Sequence, residues 1–496
     1  MRLKINGNLN EYYAQTLCLL FFPGSKFAVR SEMDVNEPSA EINVTEDEEN
    51  ITVSVTLVHL LDTANAVVSE PKSKYSKKEK CANIACGKAF FEAGRELMGV
   101  RPQWGILTGI RPSKFIIDLI NAGNTSAEAV NILKRDYLVN PKKANIAAEI
   151  AAGEQIIMKD LDPDSCSLYI SIPFCPSRCH YCSFVSCSSP KLLSLIDGYL
   201  DRLCEDIRDT AEAIKALGLK ISTLYIGGGT PTTLDEAQLH KLFSAIRDNI
   251  DVSGLEEFTL EAGRPDTITE GKLREAKEAG VIRISINTQT FNDDVLEGIG
   301  RKHTSADFYR AFEAARASGI PHINTDLIAG LPGEGFLSFS CSVDRLVELR
   351  PDNITVHTLC IKNAADFSKI KSEIYRKNVR DVTKCIDYSQ IAAKNAGYAP
   401  YYIYRQKNAV GNLENVGFAL PGTEGKYNIY MMDELQTIFA VGAGAVSKLV
   451  SLEKSKIKRI FEYKYPYEYL SDTEGQKRKE KFDAIQKFYS EIRGER

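Results

Sequence analysis

Between residues 167 and 360, short apolar runs alternate with amphipathic ones, and few folds accommodate that order. The apolar runs span 168–172, 223–226, 257–261, 282–286, 323–328 and 354–359. They are rich in Ile, Leu and Thr and read as buried strands. Between them, 192–217, 235–249, 269–279, 305–318 and 337–349 carry apolar residues at helical spacing. Strands that alternate with helices build a parallel sheet with right-handed crossovers. Six repeats are too few for an eight-fold barrel. In α/β folds of this kind the loops at the C-terminal ends of the strands make the site, so the residues just after each run are the ones to read for chemistry.

The first run is followed at once by Cys175, Cys179 and Cys182, within Cys-Pro-Ser-Arg-Cys-His-Tyr-Cys. Thiolates are soft ligands for zinc or iron, and three within eight residues wrap one metal centre. A cubic four-iron cluster held by three cysteines leaves one iron open to a non-protein ligand. Zinc is the rival, with His180 as a fourth ligand, but zinc sites usually pair two such knuckles and no second one follows. Cys81 and Cys86 lie in a lysine-flanked helical stretch and carry no assignment; a lone cysteine is often just a small buried hydrophobe.

The remaining candidates also follow strands. Gly227-Gly-Gly-Thr-Pro-Thr232 comes after the second, where backbone without Cβ atoms admits a small ligand closely. Glu261 closes the third strand, Gln289 follows the fourth, Arg301 comes twelve residues later, and Asp326 and Ile328 lie on the fifth. A guanidinium such as that of Arg301 takes a carboxylate in a bidentate fork.

The C-x3-C-x2-C spacing, with the flanks Ile-Pro-Phe-Cys175 and Tyr-Cys182-Ser-Phe184, resembles that of the radical S-adenosylmethionine (SAM) enzymes. Within them it is most similar to the oxygen-independent coproporphyrinogen III oxidase group and its HemZ-like branch. The segments Glu261-Ala-Gly-Arg-Pro-Asp266, Tyr404-Arg-Gln-Lys-Asn408 and Gly411-Asn-Leu-Glu-Asn415 carry the branch likeness. The resemblance implies an open (β/α)6 partial barrel, a [4Fe-4S] cluster on Cys175, Cys179 and Cys182, and SAM as second cofactor. It places Gly228, Gly229 and Thr230 at the SAM amino group, Arg301 at its carboxylate, Asp326 and Gln289 at ribose hydroxyls and polar edges, and Ile328 at the adenine. Glu261 and Tyr169 join the same cofactor site. It further implies oxidative decarboxylation of coproporphyrinogen III to protoporphyrinogen IX, with an electron donor such as flavodoxin or ferredoxin. The sequence departs from the best-characterised oxidases at Phe184, where those carry a further cysteine; Tyr-Cys-Ser-Phe is closer to the related haem chaperones. The alternatives are therefore a haem-binding chaperone, in which His303 or His357 ligates haem, and a radical SAM enzyme with another small-molecule substrate.

Flanking regions complete an α/β organisation of three domains. Residues 1–160 read as α+β, with strands at 2–6, 40–44 and 51–57, a hairpin turn at 45–50 and helices at 77–98, 114–120 and 141–158. The single tryptophan, Trp104, reads as a packing anchor. Residues 161–360 hold the partial barrel. Residues 361–496 form an α+β extension that covers it, with a tyrosine-rich strand at 398–404, a tight turn at 442–445 and a charged helix at 474–496. On that strand, Arg405 and Lys407 are candidates for anchoring substrate propionates. Net charge of −4 argues against a general nucleic-acid binder, and the one short apolar run near the N-terminus, 17–22, is too short for a signal or a membrane span. A cytoplasmic protein with reduced cysteines is expected.

Overall fold

The structure, a computed structural model, describes residues 1–27, 37–362 and 364–494. Residues 28–36, 363 and 495–496 fall in the expected first and third domains and lie outside the described residues. The chain divides into two compact units. The first is Met1–Ala152 with Lys369–Thr383 and Ile403–Glu414; the second is Gly153–Ser368 with Lys384–Tyr402 and Asn415–Arg496.

The first unit holds a four-stranded sheet of β1 (Arg2–Asn6), β2 (Ser39–Glu46), β3 (Asn50–His59) and β4 (Asp62–Pro71), in that order. β1 runs parallel to β2 and the rest is antiparallel. The alternation read in 51–57 puts Ile51, Val53, Val55 and Leu57 on one buried face. Helices Glu11–Phe21 and Lys78–Met98 cover that face with Leu17, Phe21, Ile84, Ala85 and Phe90. Each such aliphatic side chain contributes about 1.5–3 kcal/mol on burial. The run at 17–22 is thus the inner face of a helix, capped by Asn10. Cys81 and Cys86 are buried in this core. β4 and helix Ser126–Arg135 were not expected from sequence: Asp62, Thr63 and Asn65 dilute the β signal, and the helix is recognisable chiefly by its Thr125–Glu128 capping box.

Trp104 is an anchor, as expected. It is 1 % exposed, and its Nε1 donates to Glu414 Oε2 at 2.7 Å. Lys143 Nζ lies 2.7 Å from Glu414 Oε1, with both side chains at 1 % exposure or less.

An eleven-stranded sheet makes up the core of the second unit, apart from its residues 403–405 and 414, which belong to the first. Its strands are β5 (Ser165–Ile172), β6 (Lys220–Gly228), β7 (Glu257–Glu261), β8 (Arg283–Ser285), β9 (His322–Ala329), β10 (Asn353–Thr358), β11 (Ala399–Arg405), β12 (Glu414–Ala419), β13 (Ile438–Val441), β14 (Val446–Ser451) and β15 (Lys456–Phe461). The order is β11-β12-β10-β9-β8-β7-β6-β5-β13-β14-β15. β5 to β10 are consecutive parallel neighbours, as the alternation demands. The sheet is open, which agrees with the partial barrel. Helices lie between the strands, and capping boxes at Asp235 and Thr304 start two of them.

Residues of the expected third domain are shared between the two compact units. β13 adds in parallel to β5, while β12 adds antiparallel to β10. Both free edges of the six-stranded core need partners, and the chain after residue 384 supplies them from within the same unit. Among the described residues no helix is long and apolar enough to cross a membrane.

Candidate active site

The cysteine loop begins where β5 ends. Cys187 N donates to Pro173 O at 2.8 Å and Cys175 N to Cys187 O at 3.1 Å, which ties the loop at its base. Cys187 therefore enters through its backbone. Gly229 N donates to Ile172 O at 2.8 Å and Thr230 N to Phe174 O at 2.7 Å, so the glycine triplet after β6 runs along the loop. The glycines are required there. Gly228 has φ +113°, and a Cβ at Gly229 would stand 2.6 Å from Phe174 O and 2.9 Å from Cys175 Sγ.

Each thiol faces at least one donor, and Cys179 faces two guanidinium groups, those of Arg264 and Arg301. Thr230 Oγ1 lies 3.4 Å from Cys175 Sγ, Arg264 Nη1 lies 3.5 Å from Cys179 Sγ, and the Phe184 N–H faces Cys182. Burial pushes the Cys175 thiol up to about 11, against the pull of Thr230. Among the described residues no three His, Cys, Asp or Glu side chains converge on a point that would suit a single ion. A cubane needs no such point, because its three protein ligands attach to three different irons. His180 does not converge with the three thiols on one such point among the described residues; its Nδ1 lies 3.3 Å from Gly298 O, and its backbone ties to Ile299 and Phe367. The donor set fits a four-iron cluster and not zinc. Phe184 is 68 % exposed, which leaves it outside the loop's packing.

The polar residues read from the strand ends gather in the same unit. Glu261 receives the Tyr225 hydroxyl at 2.7 Å. Burial raises its carboxyl to about 7; the Tyr225 hydrogen bond opposes that shift and Asp326 adds to it. Gln289 adopts φ +73°, unusual for a side chain with Cβ. Backbone bonds Gln289 N to Asp326 O (3.0 Å) and Ile328 N to Gln289 O (2.9 Å) hold it against β9. Its Oε1 is buried with no partner among the described residues, and so is Arg301 Nε. Arg301 Nη1 donates to Asn287 O at 2.6 Å and Gly263 O at 3.1 Å. Asp326 accepts from Asn324 Nδ2 at 2.8 Å and faces His357 Nε2 at 3.5 Å. Ile328 is 7 % exposed. Two buried polar atoms left without partners among the described residues, in the unit that holds the cysteine loop, fit a polar small molecule such as SAM.

Three residues of this region escaped the sequence reading. Tyr225 and Tyr427 stack with Tyr169, at 4.5 Å between the first two and 6.0–6.3 Å to Tyr169. Tyr225 pairs in register with Tyr169, a signal visible only once the strands are aligned. Tyr427 comes from helix Lys426–Asp433 and carries no local signal. The third is Arg264, 2 % exposed.

Other expectations find different surroundings. His303 is 2 % exposed, and burial, with Arg301 adding to it, lowers its imidazole to about 3. Arg405 and Lys407 lie in the first unit. Arg405 is 8 % exposed and stacks over Trp104; it donates to the carbonyls of Leu107 (2.6 Å), Gly109 (3.2 Å) and Asn412 (3.3 Å). Lys407 Nζ sits 4.5 Å over the Tyr12 ring. The guanidinium expected to hold a propionate is thus occupied by carbonyls of its own unit, a pattern invisible before residues 300 apart are brought together.

The family model for the radical SAM superfamily matches residues 169–338. The oxygen-independent coproporphyrinogen-III oxidase-like protein HemZ of Bacillus subtilis is 39 % identical over 374 residues, 75 % of each chain. The heme chaperone HemW of the same organism is 34 % identical over 56 % of this chain and 70 % of its own. The solved coproporphyrinogen III oxidase HemN of Escherichia coli aligns over 65 % of this chain and 73 % of its own, at 23 % identity and a TM-score of 0.49. The chain belongs to the radical SAM superfamily, in the coproporphyrinogen III oxidase-like group that holds HemZ and HemW, and its cofactors are a [4Fe-4S] cluster and SAM.

Proposed function

We propose that this protein is a radical SAM oxidoreductase that decarboxylates the propionates of coproporphyrinogen III without oxygen. The observation that carries the reading is the meeting of three thiols, a glycine triplet and two unpartnered buried polar atoms in one unit, around the C-terminal ends of parallel strands. In this reading Cys175, Cys179 and Cys182 hold the cluster. Gly228, Gly229 and Thr230 admit the SAM amino group beside it, with Glu261 as the nearby carboxylate and Tyr169 packed behind. Arg301 takes the SAM carboxylate, Gln289 and Asp326 the ribose and polar edges, and Ile328 the adenine face. When bound, the two cofactors supply one-electron cleavage of the sulfonium and abstraction of a hydrogen atom. The chain binds, orients and keeps water away. Each propionate then loses one hydrogen atom, one electron and carbon dioxide to become a vinyl group, so a one-electron acceptor is consumed. Cluster reduction calls for a donor such as flavodoxin or ferredoxin.

The likeness to HemW, and Phe184 in place of a further cysteine, favour one second reading: a haem chaperone with the same cofactors. The two separate in one experiment. Protein loaded with iron and sulfide without oxygen is incubated with SAM, a reductant and coproporphyrinogen III. Release of carbon dioxide with formation of vinyl groups is expected. Tight haem binding with no carbon dioxide would replace the first reading by the second.

The SAM assignment has its own test. Arg301→Lys keeps the charge but loses the planar fork. SAM affinity, followed by equilibrium dialysis, should fall at least ~10-fold, or about 1.4 kcal/mol, at unchanged iron content. Unaltered affinity would remove Arg301 from the SAM site.

A further inference from the structure

Arg264 takes no part in the roles above, yet it is among the most enclosed charges in the second unit. It leaves β7 in Glu261-Ala-Gly-Arg264-Pro-Asp266 and reaches across to the cysteine loop. Nη1 lies 3.5 Å from Cys179 Sγ and 3.5 Å from Ser177 O, and Nη2 donates to Ser177 Oγ at 2.9 Å. Nε donates to Asp266 Oδ1 at 3.2 Å. One guanidinium therefore grips the loop between the first two cysteines and ends on the sulfur of the second.

We propose that Arg264 is a positioning residue that fixes Cys179 on the cluster and raises the cluster's reduction potential, with Asp266 offsetting part of its charge. The inference rests on the reading that Cys179 is a cluster ligand. Hydrogen bonds to ligand sulfurs and net local charge set the potentials of such clusters. The donors to Cys175 and Cys182 are a hydroxyl and a backbone N–H, both neutral. Cys179 receives a buried cation. Reduction adds one negative charge to the cluster, and a cation a few ångströms away in a poorly screened interior favours the reduced state. Arg301 also faces Cys179 while its Nη1 donates to the Asn287 and Gly263 carbonyls, so its charge is a second, constant contribution that the Arg264 variants leave in place. Asp266, against the Arg264 guanidinium and 3.9 Å from His303 Nδ1, opposes the effect.

The test is an equilibrium redox titration of the loaded protein, read from the electron paramagnetic resonance of the reduced cluster. In Arg264→Gln the ratio of reduced to oxidised cluster at a fixed potential should fall about 10-fold, a shift of about 59 mV for one electron. Arg264→Lys, which keeps the charge, should stay closer to wild type. Asp266→Asn should move the ratio the other way, which a purely structural role for the pair would not produce. Unmoved ratios in Arg264→Gln and Asp266→Asn, both at wild-type iron content, would overturn the inference. If Arg264→Gln does not retain its cluster, Asp266→Asn decides: a rise supports the inference, and no change or a fall overturns it. Wild-type protein that takes up no iron would instead overturn the cluster assignment underneath.

Discussion

Cys179→Ala protein, loaded with iron and sulfide in the absence of oxygen, is expected to hold at least ~10-fold less iron than wild type, since even partners outside the ligand shell commonly cost 10- to 100-fold. SAM cleavage should fall to background with it. Two ligands cannot hold a cubane that needs three, and the neighbouring thiol cannot substitute: Cys187 is held at the base of the loop through its own N–H and carbonyl. Cys187→Ala is the control and should retain its iron. Metal analysis with sulfide determination checks both variants. Full cluster occupancy in Cys179→Ala, or equal loss in Cys187→Ala, would show that the ligand set is misassigned.

The second large effect concerns stability. Lys143→Met removes the cation that sits 2.7 Å from Glu414 in the core of the first unit. A buried carboxylate stripped of its counter-charge costs about 3–5 kcal/mol, and the loss should appear in the first unit's denaturant midpoint. Burial alone would raise the Glu414 carboxyl, but Lys143 and the Trp104 hydrogen bond overcome it and hold it below the usual carboxylate range. A depressed folded-state value means that the contribution is present above the unfolded value near 4.3 and is lost as pH falls through the folded value. In Lys143→Met the carboxyl titrates upward, so the penalty should be larger at pH 7 than near pH 5. Replacing both partners with apolar residues, Lys143→Met with Glu414→Leu, should recover much of it. A single-variant loss under about 1 kcal/mol would mean that the pair is solvated.

What the sequence shows of this protein follows from the range of the forces involved. The six strands and the cysteine loop are legible because periodicity and ligand spacing are local. β8 has only three residues, and Gln289 beyond it takes a left-handed conformation against β9 that no single residue type announces. Tyr427 and Arg264 owe their positions to distant elements, so the sequence shows them only as a tyrosine in a helix and a charge in a loop. The surroundings of Arg405 are likewise set at a distance. Arginine beside tyrosines suggests an anion site, whereas tertiary packing gives its donors to carbonyls near Trp104. Segments 369–383 and 403–414 return to the first unit, and nothing local in the sequence announces that.

That return has a consequence for synthesis on the ribosome. The first unit draws Glu414 against Trp104, 310 residues earlier. When residue 152 has emerged, Trp104 and Lys143 have been made but Glu414, which both meet in the folded chain, has not. At about 5–20 residues per second, the gap lasts roughly 13–50 s. The amino-terminal part must wait, incomplete, while most of the second unit is translated. Completion of one unit is thereby coupled to growth of the other, and a chain cut before Gly153 would carry two stranded segments, Arg405 and Glu414 among them, whose partners had been removed.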